Sequence, residues 1–413
     1  MKIAIIGAGI SGNTLAYHLY RDHEITVFEA ASHVGGHSHT HEIVRAGKLY
    51  AVDTGFIVFN DRTYPNFMNL LNKLNVASQP SSMSFSVKCE NSRLEYNGTS
   101  LNALFAQRSN LFKPGFYRMI RDILRFNRES LELVAEGAEI GLGDYLKQQG
   151  YSQQFIDYYI IPMAAAIWSG EPARMLRFPA RFLVRFFHHH GMLTVDDRPQ
   201  WRVIQGGSAR YVEALTAGFI ERIRLNTPVT RVRRLKDAVR VTPQGSEEEC
   251  FDWVFFACHS DQALRLLEDP SERERDILAA LPYQENNAVL HSDSRMLPRR
   301  KLAWAAWNYH VPKTPLEHVA VTYNLNILQG LDALEPLLVT LNYTAGIEDE
   351  KIIKRLTYDH PVFTLEGIRA QRRHAEISGV NRTGFCGAYW RNGFHEDGVG
   401  SALAALEQFR GHA

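Results

Sequence analysis

The chain has 413 residues, of which 46 are Lys or Arg and 45 are Asp or Glu, so its formal net charge is +1. This balance gives no reason to expect nucleic-acid binding, and the length predicts a large core and two domains. No apolar run reaches the roughly eighteen residues of a membrane-spanning helix. The four cysteines lack metal-ligand spacing, so we predict no metal site and a reducing, cytoplasmic location.

The first predicted elements are a buried strand at residues 2–6, a glycine turn and a helix from Asn13 to Arg21. The turn, Gly7-Ala8-Gly9-Ile10-Ser11-Gly12, fits G-x-G-x-x-G, and a second strand ends at Glu29. In dinucleotide sites the first glycine makes the turn, the second admits a pyrophosphate, and the third lets helix and strand pack closely. The pattern therefore predicts a dinucleotide site in which Glu29 accepts hydrogen bonds from a ribose diol.

A second glycine turn, Gly35-Gly36, follows soon after the acidic end of that strand. NAD binding does not require such a turn. The segment that begins at Glu29-Ala30 resembles the E-x(5)-GG motif of the FAD-dependent amine oxidase and desaturase superfamily. This resemblance implies that FAD is the cofactor and that the motif supports its pyrophosphate. His37 stands where the superfamily usually has arginine, and Ser38 supplies a hydroxyl donor for the phosphates.

Further segments resemble the same superfamily. Residues 52–58, which include Gly55, Phe56 and Ile57, resemble the strand and turn that run past the flavin ring. Val229, in a later predicted strand, matches the residue whose backbone meets the adenine. The sequence has no second unit of strand, G-x-G-x-x-G and helix, so we predict one dinucleotide site and no separate NAD(P)H domain.

The middle of the chain leaves two alternatives open. Tyr117 to Ala135 reads as a helix in which arginines alternate with aliphatic residues. Such a helix either lies on a membrane surface or packs as a solvated helix on the substrate domain. Trp168, Trp304 and Trp307 either line an aromatic cavity or belong to an ordinary core.

The last predicted helix, Ser401 to Phe409, follows a strand that ends at Gly387 and a turn that contains His395, Glu396 and Asp397. Neighbouring side chains point in different directions, so we interpret the triplet as a helix cap rather than a metal site. In the superfamily this helix start stabilises negative charge on the flavin pyrimidine. Glu396 or Asp397 is expected to contact the ribityl or phosphate region. His395 either makes a structural hydrogen bond or is the catalytic base at the flavin edge.

The resemblance implies an α/β fold, with a Rossmann-like FAD-binding domain of the glutathione-reductase type and an inserted α+β substrate domain, as in amine oxidases. The FAD-binding domain is predicted at residues 1–75, 201–261 and 376–413, and the substrate domain at residues 76–200 and 262–375.

A narrower resemblance rests on DTGFIVFNDRTYPNF (Asp53–Phe67), IWSGEP (Ile167–Pro172), LAWAAWNY (Leu302–Tyr309) and FCGAYWRNGFHEDG (Phe385–Gly398). These segments resemble bacterial FAD-dependent oxidoreductases that are similar to the N-terminal region of plant cyclopropane-fatty-acid synthases. The resemblance implies a lipid or fatty-acyl substrate and a cyclopropane-fatty-acid synthase-type partner, in the cytoplasm or peripheral to the inner membrane.

We therefore predict an oxidoreductase that transfers a hydride from a substrate carbon to flavin N5. Two alternatives remain at this point. One is a flavin amine oxidase that acts on a small amine. The other is a low-turnover flavin- or lipid-binding accessory of a lipid-modifying methyltransferase.

Overall fold

The computed structural model describes residues 1–136, 140–194, 196, 198–314 and 316–411. The strands in these residues are β1 (Lys2–Ile6), β2 (Glu24–Phe28), β3 (Thr40–Arg45), β4 (Lys48–Asp53), β5 (Phe59–Asn60), β6 (Ser78–Pro80), β7 (Phe85–Cys89), β8 (Leu94–Asn97), β9 (Trp201–Ile204), β10 (Ile223–Arg224), β11 (Val229–Arg234), β12 (Val239–Pro243), β13 (Glu249–Phe251), β14 (Trp253–Phe256), β15 (Tyr283–His291), β16 (Trp307–Val311), β17 (Ala320–Asn324), β18 (Leu338–Leu341), β19 (Ile352–Pro361) and β20 (Thr383–Phe385).

The α-helices in the same residues are α1 (Ile10–Leu19), α2 (Pro65–Lys73), α3 (Leu101–Leu104), α4 (Pro114–Glu129), α5 (Glu132–Glu136), α6 (Leu142–Gln148), α7 (Gln153–Phe155), α8 (Ile161–Trp168), α9 (Pro172–Met175), α10 (Ala180–His189), α11 (Ala209–Thr216), α12 (Ser260–Leu266), α13 (Glu272–Ala279), α14 (Leu325–Leu328), α15 (Leu365–Gln371) and α16 (His395–Arg410). A π-helical segment, Ile156–Ile160, joins α7 to α8. No helix among these is long and apolar enough to cross a membrane.

A parallel sheet in the order β10-β2-β1-β14-β20 forms the first part of the molecule. Its central strands are short apolar runs (KIAII and WVFF) that are buried almost throughout, as expected for a parallel sheet covered on both faces. The helices α1 and α16 share the apolar core on one face. On the other face lies the core beneath the antiparallel sheet β11-β12-β13. The predicted α/β fold with a Rossmann-like parallel sheet is confirmed.

A mixed sheet in the order β19-β15-β18-β17-β16-β7-β8 forms the second part. Its strands come from two distant segments of the chain: β7 and β8 from one, and β15 to β19 from the other. The two segments join where β16 pairs in parallel with β7, and the other pairs in the sheet are antiparallel. One face of β7, β16 and β17 packs on the helices from α4 to α10. All these strands fall within the segments predicted for the substrate domain. The domain boundaries themselves, which include a few residues outside the described ranges, remain a prediction.

Three helix boundaries differ from those predicted. The first helix begins at Ile10 rather than Asn13, because the glycine turn itself provides the N-cap at Gly9. The last helix begins at His395 rather than Ser401, because Asp397 caps it from within its first turn. The helix predicted from Tyr117 to Ala135 is two helices, α4 and α5.

Candidate functional site

A cavity of about 650 Å³ runs along the carboxyl end of the parallel sheet. Its wall includes Ile6-Gly7 at the end of β1, Phe28–Ala30 at the end of β2, Ala257–His259 after β14 and Gly387 after β20. In open α/β sheets ligands bind at this edge, where successive loops diverge. The volume lies in the range of small-molecule and cofactor sites.

The three glycines of the first turn have different structural roles. Gly7 has a φ of +107°, and a Cβ there would lie 2.8 Å from the carbonyl oxygen of Ala257. A Cβ at Gly12 would overlap the carbonyl oxygen of Gly7. Gly9 differs, because a Cβ there would meet no atom within 4 Å. Gly7 and Gly12 are therefore needed for the fold, whereas Gly9 leaves space beside the N-terminus of α1.

The second glycine turn packs directly on the first. The Gly35 N–H donates to the Ala8 carbonyl oxygen at 2.8 Å, and Gly9 and Gly35 form a parallel bridge. Gly36 has a φ of +59°, and a Cβ there would lie 3.2 Å from the Gly9 Cα. The two turns thus form one wall of the cavity, and no side chain in the described chain caps α1 at this point.

Glu29 lies at the end of β2 and lines the same cavity. Its carboxylate accepts a hydrogen bond from the Ala8 N–H at 2.7 Å and another from the Ala31 N–H at 2.8 Å. Val229, at the start of β11, lines the cavity as well. The carboxylate is therefore held at the cavity wall beside the first glycine turn.

Four histidines line the cavity, and burial lowers the pKa of each of them: His37, His259, His360 and His395. Burial lowers the pKa of His37 to about 4, with a further contribution from the charge of His259. Burial, followed by the charge of His37, lowers the pKa of His360 to about 3. Burial also places the pKa of His395 well below its ordinary value. His37 thus offers a neutral ring where the superfamily resemblance leads one to expect the cationic side chain of arginine.

His395 is the first residue of α16, and its ring is held on two sides. It stacks on Phe56 with 3.6 Å between ring centroids and 8° between ring planes. Its Nε2 lies 2.6 Å from the hydroxyl of Tyr211 and 3.3 Å from that of Ser38, and these two hydroxyls also hydrogen-bond to each other. Tyr211 could not be identified from the sequence, because no sequence pattern shows which tyrosine of an amphipathic helix points its hydroxyl at the cavity wall.

Glu396 and Asp397 have capping roles. Glu396 accepts hydrogen bonds from the Asn66 and Phe67 N–H groups at 3.1 and 2.9 Å, and so caps the start of α2. Asp397 accepts from the Phe394 N–H at 3.0 Å and caps its own helix, as the sequence predicts. Neither residue lines the cavity, so the structure gives both side chains partners other than the expected ribityl or phosphate region of a cofactor.

The two ends of the chain meet at the cavity. The Ser11 hydroxyl donates to the Gly398 carbonyl oxygen at 2.9 Å. A Cβ at Gly398 would lie 2.7 Å from the Cγ2 of Ile10, so the starts of α1 and α16 approach closely only because residue 398 is glycine.

Most of the residues predicted from the sequence thus line one cavity. Those in its wall are Gly7, Gly9, Ile10, Ser11, Glu29, Ala30, Gly35, Gly36, His37, Gly55, Phe56, Ile57, Val229, Gly387 and His395. The others, which contact or neighbour this wall, are Ala8, Gly12, Ser38, Glu396 and Asp397.

The mixed sheet and the end of α8 form the opposite wall. Trp168 and Trp307 line the cavity, whereas Trp304 does not and instead donates its indole N–H to the Pro298 carbonyl oxygen at 2.8 Å. Several aromatic residues of this wall carry no sequence signature, because they come together only when distant strands pair. They are Tyr323, Tyr358, Phe363 and Phe394.

Comparison with known proteins places this geometry in a family. The profile of flavin containing amine oxidoreductases matches residues 10–311, which is well over half of the chain. The comparison with curated proteins gives no match.

Solved structures share the fold across almost the whole chain. A protein assigned as a protoporphyrinogen oxidase from Exiguobacterium sp. 255-15 has a TM-score of 0.71 and 16% identity, and the match covers 100% of this chain and 99% of that one. The CLA-producing fatty acid isomerase from P. acnes has a TM-score of 0.69 and 15% identity, with 98% of each chain covered. Cyclohexylamine oxidase from Brevibacterium oxydans IH-35A has a TM-score of 0.66 and 14% identity, with 99% of each chain covered.

The cavity fits the cofactor of this family. The open space at Gly9 and the uncapped start of α1 suit a pyrophosphate, since helix N-termini offer free N–H groups and partial positive charge. Glu29 lies beside them and suits a ribose diol. The chain therefore belongs to the flavin-containing amine oxidoreductase family and is an FAD-dependent oxidoreductase.

Proposed function

We propose that this enzyme oxidises a lipid or fatty-acyl substrate by removing a hydride from one of its carbon atoms. The observation that carries the proposal is the apolar wall that faces the glycine turns. Ile167, Trp168, Trp307, Leu341 and Phe363 line it, and they present aromatic rings and aliphatic groups to the cavity. Contact between such a surface and an acyl chain is favourable by about 0.8 kcal/mol for each methylene that it buries.

The histidines near this wall are neutral, which also favours an uncharged reacting carbon. His37, His360 and His395 have pKa values of about 4, about 3 and well below the ordinary value, so they carry no charge near pH 7. A protein with a similar fold, from P. acnes, is a fatty acid isomerase.

Within this proposal the two glycine turns and the start of α1 hold the FAD pyrophosphate, and Glu29 holds the ribose. When bound, FAD supplies the acceptor for the hydride at N5. His395 is the proposed catalytic residue. Its ring is neutral, and Tyr211 anchors it through Nε2, so it can hold a hydrogen bond or accept a proton at the cavity wall. Phe56 fixes the plane of the ring.

We further propose a cyclopropane-fatty-acid synthase-type partner that modifies the same acyl chains, in the cytoplasm or at the inner membrane. This part of the proposal rests on the segments from Asp53 to Phe67 and from Phe385 to Gly398, which resemble the group that contains the plant synthases.

Anaerobic mixing of the purified enzyme with candidate substrates tests the proposal. Fatty acids and phospholipids should bleach the oxidised flavin, and mass spectrometry should find products that have lost two hydrogen atoms. Bleaching by small amines alone would contradict the lipid proposal. No bleaching by either class would favour the low-turnover accessory role.

An amine substrate is the second candidate function. Asp359 lines the cavity on the mixed-sheet side and is a carboxylate that an ammonium group could contact. Replacing it by asparagine should weaken amine binding at least tenfold if this candidate is correct, because a charged hydrogen bond is lost. The same change should leave fatty-acid turnover within about threefold of the parent if the lipid proposal is correct.

A further inference from the structure

One surface of α4 combines exposed apolar and cationic side chains. Phe112, just before the helix, is 86% exposed, and Leu124 is 54% exposed. Tyr117, Arg118 and Arg121 are exposed on the same helix. We define the α4 surface as Phe112, Tyr117, Arg118, Arg121, Leu124 and Arg128.

The helical repeat places four of these side chains in one stripe, and Arg118 lies to one side of it. Tyr117, Arg121, Leu124 and Arg128 follow a spacing of four, three and four residues, which keeps them on one face over about 16 Å. The Tyr117 hydroxyl donates to the Leu111 carbonyl oxygen at 3.0 Å, which ties the stripe to the turn that carries Phe112.

The opposite face of α4 is buried and fixed. Phe116, Met119 and Phe126 lie in the apolar core. Asp122 accepts a hydrogen bond from the Ser152 N–H at 2.9 Å, which attaches α4 to the start of α7. The exposed stripe is therefore the outer face of a rigidly packed helix.

The charge of this region is concentrated and positive. From Leu101 to Leu131 the chain has six basic and two acidic residues, a net charge of +4 in a protein whose total is +1. One acid, Asp122, is buried, and the other, Glu129, pairs with Arg128 at 2.9 Å. Within the described part of the chain, Arg118 and Arg121 have no ion-pair partner.

We propose that the α4 surface docks the enzyme on an anionic lipid bilayer. Exposed aromatic and leucine side chains enter the boundary between headgroups and acyl chains, while the arginines meet lipid phosphates. The concentration of positive charge favours this occupant over an uncharged apolar protein surface. The proposal stands independently of the proposed substrate.

The α4 surface is connected to the cavity through a continuous helical segment. The helical segment from α7 to α8 spans 16 residues, or about 24 Å, between the Ser152 contact with α4 and Trp168 in the cavity wall. The buried face of the docking helix is therefore joined by a single helical segment to the wall of the cavity that we propose for acyl chains.

Sedimentation of the FAD-loaded enzyme with lipid vesicles tests the proposal. We expect the enzyme to sediment with vesicles of phosphatidylcholine and phosphatidylglycerol in equal parts, and much less with phosphatidylcholine alone. Raising the salt concentration should release it, because surface charges are screened. The proposal is wrong if the enzyme stays in the supernatant with the anionic vesicles at low salt.

Two variants and their matched controls distinguish binding through the α4 surface from a nonspecific effect of exposed charged or apolar residues. Arg118→Gln combined with Arg121→Gln should weaken binding about thirtyfold, since each arginine near an anionic surface contributes about 1 kcal/mol. Phe112→Ser should weaken it about tenfold. The controls are Arg275→Gln and Leu334→Ser, at exposed positions outside the surface, and they should change nothing.

Flavin absorbance and melting temperature check that each variant is folded. Binding that the two controls reduce as much as the surface variants do would overturn the proposal. So would a dimer in size-exclusion chromatography that Phe112→Ser dissociates, because the surface would then be a contact between two copies of this chain.

Discussion

At the scale of single residues, the hydrogen bond between Tyr211 and His395 carries the proposed chemistry. Tyr211 is 1% exposed, so its hydroxyl has no solvent alternative to Ser38 and His395. Tyr211→Phe keeps the ring and removes the hydroxyl. We expect FAD to stay bound, the free energy of unfolding to fall by about 1–3 kcal/mol, and anaerobic flavin reduction to slow about tenfold because the imidazole loses its anchor.

His395→Ala is the companion variant. It should bind FAD and reduce it at least as slowly as Tyr211→Phe, because it removes the ring that the tyrosine positions. Normal turnover by His395→Ala would contradict the proposed catalytic role and would leave this histidine a structural residue.

Gly9 and Gly12 offer a matched pair that separates cofactor binding from folding. The backbone at Gly9 has φ −77° and ψ −173°, which any residue can adopt, and the space beside it is open. Gly9→Val should therefore fold normally but weaken FAD binding at least a hundredfold, because its methyl groups occupy the proposed pyrophosphate position. Gly12→Val should instead prevent folding, since its Cβ overlaps the Gly7 carbonyl oxygen.

Circular dichroism and FAD titration by fluorescence quenching distinguish the two outcomes. Tight FAD binding by a folded Gly9→Val protein would show that the pyrophosphate lies elsewhere.

At the scale of elements, Glu396 joins α16 to α2. Its carboxylate accepts the Asn66 and Phe67 N–H groups at the start of α2. We expect Glu396→Ala to lower the free energy of unfolding by about 1–2 kcal/mol, as loss of a helix cap does, without changing FAD affinity. Glu407→Ala, at an exposed position of the same helix, is the control and should change neither quantity. A large loss of FAD affinity in Glu396→Ala would support the cofactor contact expected from the sequence.

The sequence predicts local elements better than distant pairings. The unit of β1, glycine turn, α1 and β2 is legible because Gly7, Gly12 and Glu29 stand at fixed spacings within thirty residues. Closure of the site by α16 follows only from the superfamily resemblance. The pairing of β7 with β16 joins residues more than two hundred positions apart, and no short-range pattern encodes it. The aromatic wall formed by Tyr323 and Phe363 is hidden for the same reason.

At the scale of the whole molecule, buried histidines make stability depend on pH. Burial lowers the pKa of five histidines outside the cavity wall from 6.5 to about 4; they are His39, His41, His190, His291 and His310. As pH falls below 6.5 the unfolded chain gains these protons and the folded chain does not, so stability is lost down to about pH 4.

Two buried aspartates increase the stability of the folded state as pH falls, which opposes the effect of the histidines. Burial raises the pKa of Asp53 to about 6 and that of Asp397 to about 7, so the folded state binds these protons first and gains stability as pH falls. Because the histidines outnumber the aspartates, we expect the melting temperature to fall by about 5 °C or more between pH 7 and pH 5. A melting temperature that stays constant or rises over this range would contradict the assigned charge states.

The central claim is that both ends of the chain hold one FAD molecule. The close contact of Ser11 with Gly398, and the cavity that Gly9, Gly36 and His395 share, are its basis. A crystal structure of the enzyme purified with FAD tests it most directly. We expect density for one dinucleotide, with its pyrophosphate against Gly9 and Gly36 and its ring beside His395. FAD bound with its ring away from the start of α16, or with its phosphates away from the first glycine turn, would contradict it.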